Sequence, residues 1–150
     1  KLKNAKAESL SMMRTWILPS LLKNIAISRH EKMPQKLFEL DMVFYLSKKI
    51  AMEEYHLAGV SADPKSNFNN MKGVIKSLGY FLRQDWKITR YEHESFIKGR
   101  CAKIILGKEM IGLFGELHPE VLSNFGIEEP TAAFEIDLTK VVGTITSTSD

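Results

Sequence analysis

A chain of 150 residues with 44% hydrophobic and 26% charged side chains fits one globular domain that buries roughly 70% of the surface its unfolded form exposes. The single cysteine, Cys101, excludes an internal disulfide. With no apolar run near ~18 residues and no cleavable leader, the chain reads as cytoplasmic and free of membrane spans.

The lack of an initiating Met points to a fragment. Net charge is only +3, yet residues 1–50 carry ten Lys or Arg against four acids, and residues 101–150 three against eight. The basic third, with Lys23, Arg29, Lys32, Lys36, Lys48 and Lys49, is either a solvated surface or a surface for RNA or an acidic partner.

In chain order, Leu18, Leu21, Leu22 and Ile25 recur at helical spacing. Pro19 sits in the first turn, where its missing N–H costs least, so a helix is expected from about Pro19 to Arg29. From Leu37 to Leu46 the chain alternates, with Phe38, Leu40, Met42, Phe44 and Leu46 on one face and Glu39, Asp41, Val43 and Tyr45 on the other, the pattern of a half-buried strand. A second strand is expected at Glu54 to Ala62. A helix follows from Ser66, as cap, to Leu82, with Met71, Val74, Ile75, Leu78 and Leu82 as its apolar stripe. Beyond Trp86 to Arg90, two apolar runs, Cys101 to Leu106 and Met110 to Phe114, flank Gly107-Lys108-Glu109 and read as a hairpin. A short helix opens at Pro119, and a last strand is expected at Ala132 to Leu138.

Hairpin-linked strands with interspersed helices predict an α+β fold: a largely antiparallel sheet with one face covered by helices. Residues 1–143 form the module, and the Thr- and Ser-rich stretch 144–150 is expected to be a flexible tail.

Few groups offer chemistry. His30, His56, His93, His118 and Cys101 make no metal-ligand spacing. His30 suits a helix end. His118, among Glu116, Pro119 and Glu120, fits a helix-start cap better than an acid–base catalyst. Cys101 reads as a small buried hydrophobe. Gly107, Gly112 and Gly115 are spaced for strand and turn geometry rather than for a phosphate loop. Glu39 with Asp41, and Glu135 with Asp137, each point to one sheet face. Such pairs either bind Mg²⁺ or line a solvated surface.

Several motifs resemble, in order, those of phenylalanine–tRNA ligase β subunits. They are Met13-Arg14-Thr15-Trp16-Ile17-Leu18-Pro19-Ser20-Leu21-Leu22, Gln35-Lys36-Leu37-Phe38-Glu39-Leu40, Asn67-Phe68-Asn69-Asn70-Met71-Lys72-Gly73, Gly99-Arg100-Cys101-Ala102, the run Ile111 to Phe125, and Phe134-Glu135-Ile136. The archaeal and eukaryotic branch is the more similar. The resemblance spans about Arg14 to Leu138 and implies the C-terminal, catalytic-like module of that subunit, with the class II aminoacyl-tRNA synthetase fold.

That family implies ATP, Mg²⁺, phenylalanine and tRNA as ligands of the whole enzyme and an α subunit as partner in an (αβ)₂ heterotetramer. It also implies an interface near the first helix, drawn from Ile17, Leu18, Leu21, Leu22 and Ile25. Class II chemistry needs an arginine on the second-motif strand to clamp phosphate, but Tyr45 aligns there. The third motif needs glycines beneath the nucleotide, followed by an arginine. Glu135 and Asp137 stand at the glycine positions and Lys140 near the arginine. Two carboxylates would repel a nucleotide's phosphates, so the expectation is a module with no catalytic residue and no bound cofactor of its own. Two alternatives stay open: a tRNA-binding module using the basic third, or a module that itself activates an amino acid.

Overall fold

The computed structural model describes residues 14–147. Its elements are α1 (Leu18–Ile27), β1 (Gln35–Ser47), β2 (Ile50–Ala62), α2 (Phe68–Phe81), β3 (Lys87–Arg90), β4 (Phe96–Leu106), β5 (Glu109–Leu117), α3 (Pro119–Phe125), β6 (Thr131–Asp137) and α4 (Leu138–Ser147). The six strands form one sheet in the order β1-β2-β6-β5-β4-β3, every neighbouring pair antiparallel. The last strand therefore closes the sheet by sliding between two earlier units, the β1–β2 hairpin and the β3–β4–β5 meander. Its seven residues are all buried, acids included.

Helices cover both faces rather than the single face expected, because alternation along the strands feeds two separate cores. On one face Val43, Ala58, Leu113, Cys101 and Ala133 meet Leu18, Leu21, Leu22 and Ile25 of α1 and Leu122 of α3. On the other, Ile104, Phe114, Phe134 and Ile136 meet Met71 and Ile75 of α2 and Val141 of α4. Central strands buried on both sides explain the near-continuous apolar runs in β5 and β6.

Two glycines let these strands close up. A Cβ on Gly112 would lie 2.5 Å from the Glu135 carbonyl oxygen, and one on Gly115 would lie 2.3 Å from that of Arg100. The tight turn after β4 uses Gly107 at φ +63°, as the hairpin pattern predicts.

Several sequence expectations shift. The cap of α2 is Asn67, whose side chain accepts from the Asn70 N–H at 2.9 Å, while the Ser66 hydroxyl donates instead to the Ser61 carbonyl at 2.7 Å. The strand expected to run to Leu138 ends at Asp137, and α4 continues to Ser147, into the stretch expected as a tail; residues 148–150 lie outside the described residues. Met13, the first residue of the N-terminal motif, also lies outside them.

The alternation of β1 is as read, but its apolar row is the exposed one. Phe38 is 81% exposed, Leu40 58% and Leu46 77%, whereas Val43 on the opposite face is buried. β2 pairs with β6 only from His56 onward, so the distal part of the β1–β2 hairpin projects past the sheet. That arm shows apolar side chains on both of its faces, among them Leu46, Ile50, Met52 and Tyr55. Lys48 and Lys49, both at positive φ, form its tip.

Candidate functional site

The positions singled out from the sequence converge on the α1-facing side of the sheet. Register sets Glu39 opposite Ala58 and Ala58 opposite Glu135, then Asp41 opposite His56 and His56 opposite Asp137. Because directly paired residues share a face, both acidic pairs lie on this one side, with Tyr45, Glu54 and His56 in neighbouring rows.

The side chains form a chain of hydrogen bonds. The Tyr45 hydroxyl donates to Glu54 Oε1 at 2.7 Å. His56 bridges two carboxylates, Nε2 to Glu54 Oε2 at 3.0 Å and Nδ1 to Glu135 Oε1 at 2.8 Å. Glu135, only 2% exposed, also accepts from the backbone N–H of Ile17 at 2.9 and 3.1 Å and of Leu18 at 3.0 Å. Those amides open α1, whose own cap position, Ile17, has no side-chain oxygen to offer. A carboxylate from β6 thus does the capping, and the positive end of the helix dipole helps hold its charge in a buried place. Asp137 does the same for α4: Oδ1 accepts from the N–H of Thr139 at 2.9 Å and of Lys140 at 3.3 Å. Lys140 Nζ lies 3.7 Å from Asp137 Oδ2 and 3.4 Å from the Met110 carbonyl oxygen.

Electrostatics follow from this packing. Burial alone would lower the His56 imidazole, but hydrogen bonds to Glu135 and Glu54 more than offset it and hold His56 above its ordinary value. Burial pushes Glu54 the other way, and hydrogen bonds with Tyr45 and His56 prevail to keep it low. Asp137 is raised, first by burial and then by the charge of Glu54. Tyr45 is raised because Glu54 holds its proton. The solvated-surface reading of Glu135 and Asp137 therefore fails, since both acids are buried as helix caps. Glu39 and Asp41 are instead both bound by the Arg14 guanidinium, Glu39 at 2.8 Å, and that pairing suits the half-open edge of the sheet.

Sequence reading missed Glu54 and His56. Both follow from β2's alternation, in which Glu54, His56 and Ala58 share a face, once its pairing to β6 is known. The other candidates are structural. His118 caps α3, accepting at Nδ1 from the Glu120 N–H at 3.2 Å. Glu116 accepts from the Phe68 N–H at the start of α2 at 2.8 Å and pairs with Arg100 at 2.6 Å. Cys101 is buried, and burial pushes its thiol up to about 11. His30 stays exposed in the turn after α1.

Ile17, Leu18, Leu21, Leu22 and Ile25 are all buried in this chain's own core, so none presents an exposed side chain to a partner. Their neighbours Trp16 and Ile27 are exposed. A groove of about 520 Å³, lined by Phe38, Gly59, Met71, Val74 and Phe134, lies on the opposite sheet face and includes no member of the polar chain.

This architecture is similar to the fold of a solved aminoacyl-tRNA synthetase. A solved structure of pyrrolysyl-tRNA synthetase from Desulfitobacterium hafniense superposes with a TM-score of 0.73 over 89% of this chain and 50% of that one; at 9% identity the likeness is of fold alone. The family model for the phenylalanyl tRNA synthetase beta chain CLM domain matches residues 1–138, and the chain belongs to that family. Relatives include the phenylalanine–tRNA ligase beta subunits of Methanocaldococcus jannaschii, 38% identical over 85% of this chain and 24% of that protein, and of Thermococcus onnurineus, 35% identical over 92% and 25%. That of Methanopyrus kandleri is 38% identical over 92% and 24%. The chain spans about a quarter of the length of these curated relatives. Among the described residues no helix is long and apolar enough to cross a membrane.

Proposed function

We propose that the chain is the non-catalytic, class II synthetase-like module of a phenylalanine–tRNA ligase β subunit, residues 1–143 forming the module. It works by pairing with the catalytic α subunit of an (αβ)₂ enzyme in the cytoplasm. That enzyme joins phenylalanine to its tRNA with ATP and Mg²⁺, and this module binds neither. The observation that carries the reading is the closed polar chain from Tyr45 to Glu135. Where a nucleotide-binding strand would present glycines and an arginine, this strand presents Glu135, already occupied by α1's amides and His56, and Asp137, occupied by α4. A nucleotide phosphate beside these charges would meet repulsion rather than a clamp.

The partner-facing surface is the exposed apolar row of β1, Phe38, Leu40 and Leu46, together with the projecting hairpin arm and the Trp16 and Ile27 ends of α1. The five buried residues of the first-helix set hold that helix in place from behind. Co-expression with an α subunit tests this surface. Phe38→Asp with Leu46→Asp should abolish co-purification while leaving the circular dichroism spectrum intact, and an undiminished complex would refute the assignment. Pyrophosphate exchange tests the inactivity of the module: turnover by the chain alone would overturn it. The basic residues Lys23, Arg29, Lys32, Lys36, Lys48 and Lys49 are all exposed. Steeply salt-dependent tRNA binding by the chain would favour the alternative role.

A further inference from the structure

One cluster in this network is explained only in part by helix capping. Glu54, His56 and Asp137 bring one ligand atom each to within 4.8 Å of one another. We propose that these three side chains bind one divalent ion of the zinc class, with Glu135 orienting His56 rather than ligating.

Four observations converge on this site. The donor set, one imidazole and two carboxylates, is of the borderline kind that zinc accepts, with a fourth position left for water. Glu135, immobilised by the first amides of α1, holds His56 Nδ1 at 2.8 Å. This leaves Nε2 as the nitrogen directed at Glu54, and a carboxylate behind the far nitrogen is the usual support for a metal-bound histidine. Asp137 is 5% exposed, yet its Oδ2 is buried and has no hydrogen-bond partner among the described residues. Lys140 Nζ stands off from it at 3.7 Å, so the oxygen has an acceptor site to spare. Finally, the carboxylates of Glu54, Glu135 and Asp137 outnumber the two cationic side chains beside them, His56 and Lys140, and a divalent ion would balance the excess.

The Glu54 and His56 side chains keep 20% and 14% of their surface open, which gives an ion and its water a way in. Binding would replace the Nε2 proton shared with Glu54 by the metal and release that proton to solvent if His56 carries two. The ion would tie β2 to the end of β6 and the start of α4, a bracing role separate from any nucleotide chemistry.

The test is calorimetric titration of the full chain, stripped with a chelator, against Zn²⁺ and in parallel against Mg²⁺. The expected result is one equivalent of Zn²⁺, with Mg²⁺ at least about tenfold weaker. Asp137→Asn keeps an oxygen for α4's first amides; it and His56→Gln should each weaken Zn²⁺ binding at least about tenfold. His118→Gln, away from the cluster, should leave binding unchanged. Lys140→Met should strengthen binding, because it removes a competing cation, whereas a purely structural ion pair would give no gain. If His56→Gln fails to fold, the Co²⁺-loaded chain decides: a low-coordinate visible spectrum in the parent that vanishes in Asp137→Asn supports the site. Absence of saturable Zn²⁺ binding by the folded parent chain, or equal affinity in Asp137→Asn, overturns it.

Discussion

Replacing Glu135 by Gln tests the account of the buried network most sharply, since it changes one oxygen to an NH₂ without altering shape. The carboxylate accepts from two backbone amides and faces His56 Nδ1, using both oxygens. An amide has one acceptor oxygen and two donors. With its oxygen kept on the amides of α1, the Gln turns its NH₂ to His56 Nδ1, which can accept it only as the neutral imidazole of the other tautomer. One charge-assisted hydrogen bond is lost, worth about 1.5–3 kcal/mol, together with the favourable placement of charge at a helix N-terminus, about 0.3–2 kcal/mol. Neutralising a buried acid recovers part of its desolvation cost, so the net loss should be about 2–4 kcal/mol. Urea denaturation followed by circular dichroism measures it, with Glu39→Gln as the control. Glu39 shares Arg14 at the open edge, and its loss should cost under about 1 kcal/mol. If Glu135→Gln is as mild as Glu39→Gln, Glu135 is not the cap of α1.

Gly112→Ala should cost more than about 2 kcal/mol, because its Cβ would meet the Glu135 carbonyl at 2.5 Å and backbone there has nowhere to move. Gly73→Ala, with nothing within 4 Å inside α2, should instead stabilise by about 0.5–1 kcal/mol; thermal midpoints of the two variants should move in opposite directions. With its thiol pushed up to about 11, Cys101 should resist thiol reagents in the folded chain at pH 8 and react only as pH approaches that value or as urea unfolds the core. Labelling at the rate of an unfolded cysteine at pH 8 would contradict its burial. Glu116→Gln should cost about 1 kcal/mol, less than the change at Glu135, since an amide oxygen still serves the Phe68 N–H and the Arg100 it loses is exposed; chemical denaturation compares the two.

Periodicity exposed α1, the long strands, α2 and the β4–β5 hairpin to within a few residues, because each carries an apolar face of the right period. It did not reveal which face of β1 is buried. Both rows carry apolar residues, and only the position of β1 at the sheet edge, beyond the reach of α2, leaves Phe38 and Leu40 open. α4 was also hidden: Thr139, Val141, Val142, Thr144 and Ile145 are β-branched residues of modest helix propensity. What starts that helix is Asp137, together with the burial of Val141. The candidate site was half legible. Family motifs drew attention to Tyr45, Glu135, Asp137 and Lys140, but Glu54 and His56 gain meaning only from β6 pairing across a gap of nearly eighty residues.

The same geometry accounts for three of the eight acids in residues 101–150. Glu135 opens α1, Glu116 opens α2 and Asp137 opens α4, each from a central strand or its end and each onto backbone N–H groups. Among the described residues of the Lys- and Arg-rich N-terminal part, Arg14 meets opposite charge at the sheet edge, where it holds Glu39 and Asp41. Charge asymmetry along the sequence is therefore not simply a two-sided surface. Three acids are drawn inward as counter-charges for helix dipoles, and removing any of them from solvent is tolerable because each receives hydrogen bonds where the dipole is positive. The face of β6 that Glu135 and Asp137 commit to opening α1 and α4 has little freedom left to open around a nucleotide, which ties the proposed inactivity of the module to the rigidity of its sheet.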